Sequence, residues 1–441
     1  MRELTRANAN PIRNLTQGMS ERVLILTVGT GPGIAKALAI HGIDRQNPDR
    51  VLLLATSLSA EESVPILREH VSTRFLERID APYVFDDFDN VERLFEQYLK
   101  IIEDEVLNQG IPPKEVHVNF TSGTKAMSSA LLAAATTLGL GQVHVITGER
   151  DPDDGRVIEG TEVLHTLSPR SFQLRQGLDQ FTSLFDRAYY PAACEVVQRI
   201  QERHLDAKSP DQIALFAKVA AFYAAWDRQD LDAALADETK LNSEQLSHAE
   251  EHLPAAIADA VYQHTKKVLG IMANADYHAY RLADLIENAE RRYQQGAFAD
   301  AMMRLYRATE YLAQYRLYHA YDKIETKDLD VSKLPKALRP KYADLGVAAD
   351  TINLSMLNAY RLLRDLEDDL GAAFMAAYDE KKSDLKRLLN KRNNSILAHG
   401  FQPVAAADVA LLRDQFVVPL AEQYIPSFDE LRSHVRFPTF G

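Results

Sequence analysis

Between Arg22 and Leu167 one arrangement recurs: a short apolar run, a loop of glycine or hydroxyl residues, then a longer amphipathic stretch. The runs VLILTV, VLLLAT, YVF, VHVN and QVHVIT begin at Val23, Val51, Tyr83, Val116 and Gln142. Strands this apolar are covered on both faces, and their alternation with helices predicts a parallel sheet between two helical layers. The expectation is a doubly wound, Rossmann-like α/β domain ending near Leu167 to Pro169. Its ligand crevice should lie at the carboxyl ends of the strands. A last strand around Val163 follows a turn at Asp153-Asp154-Gly155, and the acidic loop from Asp151 to Asp154 reads as a hairpin turn rather than a metal site. His117 and His144 read as core or edge residues of strands, without metal-ligand spacing.

Three strand-end loops are built for phosphate. Thr27-Val28-Gly29-Thr30-Gly31 and Thr56-Ser57-Leu58-Ser59 offer backbone N–H groups and hydroxyls at helix starts, and Asn119 to Lys125 (NFTSGTK) adds a cation. Helix N-termini with free amides are natural anion sites. Ordinary turn chemistry would explain any one of these loops, but three together point to a ligand. Gly29-x-Gly31-x-Gly33 is a loose match to the nicotinamide-cofactor fingerprint, and Thr56 and Ser57 stand where a ribose-binding acid belongs. Thr121 to Lys125 lacks the spaced first glycine of a Walker A loop. No cofactor is expected.

The net charge of −13 argues against a general nucleic-acid binder. Basic residues instead crowd one place, at Lys381, Lys382, Lys386, Arg387, Lys391 and Arg392, with Lys333, Lys336, Arg339 and Lys341 upstream. That suits a polyanion handled locally, or a solvated helix face. The single Cys194 allows neither an internal disulfide nor a thiolate metal cluster. The opening MRELTRANANPIRN has no apolar core for a signal peptide, and the run from Ala130 to Leu140 is too short to span a bilayer. A cytoplasmic protein is expected, with a polar lead-in from Met1 to Ser20.

From Lys381 to Phe401 the apolar residues Leu385, Leu388, Leu389 and Ile396 fall on one helical face, and Gly400 and Pro403 predict an end near His399. Arg392 and His399 fall on that same stripe, about 10 Å apart. A cation on an apolar stripe costs free energy unless it is paired or used. The pair is therefore either a structural ion pair with a satisfied histidine, or a site. As a site it suits RNA cleavage: the 2′-OH supplies the nucleophile, a histidine moves protons, and an arginine forks onto phosphate oxygens. Asn393 could orient the arginine or donate to the phosphate. One histidine per copy favours two such helices packed across a two-fold axis.

The stretch from about Ser171 to Ala283 is helical and alanine-rich. Trp226-Asp227, Phe216, Phe222 and Tyr223 read as core packing. From Asn288 to Tyr318, Leu305, Ala308, Tyr311 (or Leu312) and Tyr315 have helical spacing, flanked by Arg304 and Arg307.

The strand–TSGTKxM–helix unit at Thr121 to Met127, with the Gly-Thr-Gly loop after the first strand, resembles the CARF sensor domains of CRISPR-associated proteins. Tyr223-AAWD and the segment from Asn288 to Tyr318 resemble the helical half of the Cas02710 family, and Arg392-NNSILAHG matches the Arg-x4–6-His signature of HEPN ribonucleases. The similarity spans nearly the whole chain. It implies a CARF sensor at 1–170, a helical connector at 171–283 and an all-α HEPN ribonuclease domain at 284–441. It further implies a homodimer that binds cyclic oligoadenylate through Thr30, Gly31, Ser57, Thr121, Ser122, Gly123, Thr124 and Lys125. Arg392, Asn393 and His399 would cut single-stranded RNA without a metal, leaving 2′,3′-cyclic phosphates. The alternative is a non-catalytic sensor whose helical half binds other proteins.

Overall fold

The computed structural model describes residues 21–153, 157–203, 210–236, 253–274, 277–345 and 351–441, in two compact units, 1–177 and 178–441. The lead-in from Met1 to Ser20, and Asp154 and Gly155 of the expected turn, lie outside the described residues. No helix among the described residues is long and apolar enough to cross a membrane.

The first unit is built on six strands: β1 (Val23–Val28), β2 (Arg50–Thr56), β3 (Tyr83–Phe85), β4 (Val116–Asn119), β5 (Gln142–Thr147) and β6 (Val163–Leu167). Their order is β3-β2-β1-β4-β5-β6. The period-two alternation of strand side chains assigns each residue of β1 to a face. Val23 and Ile25 pack with helices α3 (Val91–Glu105) and α4 (Lys125–Leu138), while Leu24, Leu26 and Val28 pack with α1 (Pro32–Ala37) and α2 (Ser57–His70). Five strands run parallel. β6 returns antiparallel to β5, because the stretch between them forms no crossover helix among its described residues. β1 lies between β2 and β4, so the strand order reverses there and a crevice opens at the carboxyl ends.

His117 on β4 and His144 on β5 meet at the sheet, with His144 Nε2 3.3 Å from His117 Nδ1. Burial lowers both, to about 4; nearby Arg22 adds to the effect on His117, and His117 adds to that on His144. The folded pair therefore stays neutral while the unfolded chain takes up protons. Stability that is full above the ordinary histidine value of 6.5 is lost as pH falls through about 4, and levels off below. Hydrogen exchange at the β4 and β5 amides should show protection falling between pH 7 and 5 beyond the intrinsic change. Constant protection across that range would contradict this.

In the second unit the Ala279–Gln294 and Phe298–Ala320 helices pack as a hairpin, joined through Gly296 at φ +74°. Leu305, Ala308, Tyr311 and Leu312 are buried, so both candidates for the third stripe position reach the core. Trp226 is fully buried against Phe437 (ring centroids 4.6 Å apart), and Phe440 stacks on Phe216, so the chain's last residues complete this aromatic core. Asp227 is buried and accepts from Arg291 and Asn288, at 2.8 and 3.0 Å, and from Arg292. A two-residue antiparallel ribbon, Leu329–Asp330 with Thr351–Ile352, interrupts the helices.

Candidate functional site

The carboxyl ends of β1 to β4 surround a cavity of about 710 Å³ in the first unit. Thr30, Ser57, Thr121, Ser122, Gly123 and Thr124 line it. Gly31 and Lys125 stand next to this lining in sequence: Gly31 leads into α1 at φ +124°, and Lys125, exposed and without an ion-pair partner among the described residues, starts α4.

The hydroxyls divide into two kinds. Thr121 Oγ1 donates to Asn119 Oδ1 (2.5 Å) and accepts from the Ile146 N–H (2.7 Å). Ser122 Oγ accepts from the Gly29 N–H at 2.7 Å, and Thr124 Oγ1 caps α4 at Met127 while donating to the Phe88 carbonyl at 2.8 Å. These three shape the wall. Thr30 and Ser57 are exposed at the cavity and, among the described residues, bond nothing, so their hydroxyls are free for a ligand. Another side of the cavity is formed by Phe85 at the end of β3 and by Asp86 and Phe88 just after it. The only sequence signal was an acidic, aromatic loop, DDFD, where phosphate chemistry predicts hydroxyls and glycine.

In the second unit the expected helix is shorter than its apolar pattern predicts. It covers Asp384–Asn393, capped by Ser383, and the chain then folds into a tight turn. The Ser395 hydroxyl donates to the Arg392 carbonyl at 2.8 Å, and the His399 N–H to the Asn393 carbonyl at 3.0 Å. Gly400 lies so close to this turn that a Cβ would stand 2.4 Å from the Asn394 carbonyl oxygen. Ile396 is consequently 67% exposed and leaves the buried stripe; Leu397 and Phe401 are exposed beside it. The Arg392–His399 relation on one helical face is thus replaced by a helix end and a turn.

Arg392 has no carboxylate partner among the described residues, which removes the structural ion pair as its explanation. Its guanidinium carbon lies 3.9 Å over the Tyr306 ring centroid, and Nη1 donates to Asn393 Oδ1 at 3.0 Å. Asn393 therefore orients the arginine. His399 is exposed on the following turn. The basic cluster is thinner than its composition: Arg387 and Lys391 both pair with Asp408, Lys341 pairs with Asp365, and Arg339 donates to the Ser332 and Leu334 carbonyls. Tyr306, missed in the sequence, carried no signal beyond its neighbours on an amphipathic helix.

Residues 272–423, which contain Tyr306, Arg392 and His399, match the family model described as the Csm6 HEPN domain. The CRISPR system endoribonuclease Csm6 of Thermus thermophilus is 27% identical, over 93% of this chain and 92% of its own length. The chain is thus similar to Csm6 along nearly its whole length. Among solved structures, Enterococcus italicus Csm6 bound to cyclic hexa-2′-fluoro-hexa-dAMP shares the fold, with a TM-score of 0.57 at 14% identity, covering 94% of this chain and 98% of that one. The Rossmann-like sheet forms the N-terminal part of the chain, and the HEPN match lies in the helical C-terminal half. Among the described residues no cluster of three or more His, Cys, Asp or Glu is placed to hold a metal.

Proposed function

We propose that this protein is an endoribonuclease of type III CRISPR antiviral defence that cuts single-stranded RNA when a cyclic oligoadenylate occupies its sensor. The carrying observation is Arg392, which lies over Tyr306, donates to Asn393 and has no carboxylate partner among the described residues, with an exposed His399 in the turn that follows its helix. The substrate's 2′-OH attacks the adjacent phosphorus as the bond to the 5′ oxygen breaks, leaving a 2′,3′-cyclic phosphate and a 5′-OH. Arg392 forks onto the non-bridging oxygens, where charge accumulates. His399 moves a proton to the leaving oxygen or from the 2′-OH. The other proton transfer falls to His399 of a second copy in a homodimer, for which exposed Ile396, Leu397 and Phe401 offer apolar contact. Nothing in this scheme requires a metal.

In the sensor, Thr30, Ser57 and Lys125 are the groups free to meet phosphate and ribose, with the first-turn amides of α2 and α4 behind them. Ring binding favours the dimer geometry in which the paired sites are competent. A near-complete switch takes about 5 kcal/mol of differential binding. The protein works in the cytoplasm, where Cys194 stays reduced.

The test is cleavage of a fluorescent single-stranded RNA in EDTA, with no ring, cyclic tetra-adenylate or cyclic hexa-adenylate. One ring is expected to switch on cleavage that EDTA leaves intact and that yields cyclic phosphate ends. Ring binding without cleavage would favour a non-catalytic sensor, and absence of binding would remove the sensor assignment.

A further inference from the structure

Arg392 sits on an otherwise apolar helix face without a counter-charge among the described residues. A guanidinium on a helix that buries Leu385, Leu388 and Leu389 ordinarily needs a counter-charge, and the neighbouring cations Arg387 and Lys391 have one in Asp408. Arg392 has none among the described residues. What faces it is the Tyr306 ring, from the Phe298–Ala320 helix, 3.9 Å below its central carbon. Asn393 Oδ1 accepts from Nη1, while among the described residues Nε is buried without a partner and Nη2 bonds nothing.

Resting on that reading, we propose that Tyr306 is the positioning residue of the nuclease site, a π-face platform that sets the plane of the Arg392 guanidinium and leaves its outer edge to the scissile phosphate. The chemistry favours an aromatic over a carboxylate here. A carboxylate would occupy the fork in a bidentate pair and compete with phosphate. A ring face attracts the cation through its quadrupole and occupies none of its in-plane N–H groups. Tyr306 cannot serve as a counter-anion, since burial raises its hydroxyl above the ordinary tyrosine value; nearby Arg392 opposes this, and Glu310 and Tyr378 reinforce it. The platform is therefore a face. Phenylalanine should replace tyrosine, and a residue of similar bulk without a ring should not.

The experiment compares ring-activated cleavage by the full chain and by Tyr306→Phe, Tyr306→Leu and Arg392→Ala, with kcat and KM separated and ring affinity and melting temperature measured on each. Tyr306→Phe is expected to stay within about twofold of wild type. Tyr306→Leu should lose roughly tenfold, the scale of a partly desolvated cation–π contact, in kcat rather than KM and without change in ring affinity. Equal activity of the Leu variant and wild type, with Arg392→Ala inactive, would overturn the platform alone, as would equal losses in Leu and Phe. A loss in Leu that tracks a lowered melting temperature would make Tyr306 a packing residue. Wild-type protein that binds a ring and never cleaves would overturn the nuclease reading, and this inference with it.

Discussion

Replacing His399 with alanine is expected to lower ring-activated RNA cleavage by roughly 10²- to 10⁴-fold, the usual contribution of a general acid or base, while ring affinity stays at the wild-type value. The substitution isolates chemistry from folding unusually well. The His399 side chain is exposed and bonds nothing among the described residues, and the residue's place in the turn is fixed by its backbone N–H on the Asn393 carbonyl, which alanine retains. Gly400 next to it is the contrast: a Cβ there would stand 2.4 Å from the Asn394 carbonyl oxygen, so Gly400→Ala would distort the turn and confound geometry with catalysis. Single-turnover cleavage of a fluorescent RNA, beside calorimetric titration with the ring, reads both quantities. Undiminished cleavage in the variant would remove His399 from the mechanism. Lost ring affinity would break the division of labour between the two units.

How much of this was legible depended on whether each signal is local. The sheet is readable because each of the five parallel strands carries its own apolar run and the crossovers between them carry helices. The crevice followed from the carboxyl-end rule once that alternation was recognised. Tertiary partners were not readable. Arg387 and Lys391 count as a basic stripe in sequence, yet Asp408, beyond the turn, takes both. The hydroxyls of Thr121, Ser122 and Thr124 read as ligand groups and line the cavity, but their bonds to Asn119, Gly29 and the Phe88 carbonyl are tertiary contacts that no local pattern announces. His117 and His144 were placed in strands, but their contact depends on a register that pairs Asn119 with His144. The nuclease motif is the instructive case. The apolar wheel continued the helix through Ile396, whereas Asn394 and Ser395, residues that compete for backbone hydrogen bonds, end it at Asn393. The residue types at Arg392, Asn393 and His399 pointed to chemistry through a geometry the chain does not adopt.

At the sensor end, Gly29→Ala is expected to weaken ring binding by roughly 10- to 100-fold, while Gly33→Ala, in the first turn of α1, leaves it unchanged. Alanine at Gly29 would place a Cβ 2.5 Å from the Gly123 backbone nitrogen and 2.9 Å from Ser122 Oγ. A backbone cannot swing aside as a side chain can, so the loops after β1 and β4 must separate, and with them goes the 2.7 Å bond from the Gly29 N–H to Ser122 Oγ. Overpacking of this kind costs about 1–3 kcal/mol, and each 1.4 kcal/mol is about tenfold in affinity. Gly33 has no atom within 4 Å of its added Cβ and no positive φ, so it controls for the generic effect of losing a glycine. Titration of both variants with cyclic tetra- and hexa-adenylate, together with cleavage at saturating ring, separates the possibilities. Weak binding with full cleavage at saturation places the damage in the cavity alone, as the close approach of the two loops predicts. Equal affinities for the two variants would mean that the β1–β4 joint does not shape the ligand site. The free groups at Thr30, Ser57 and Lys125 would then be sufficient without it.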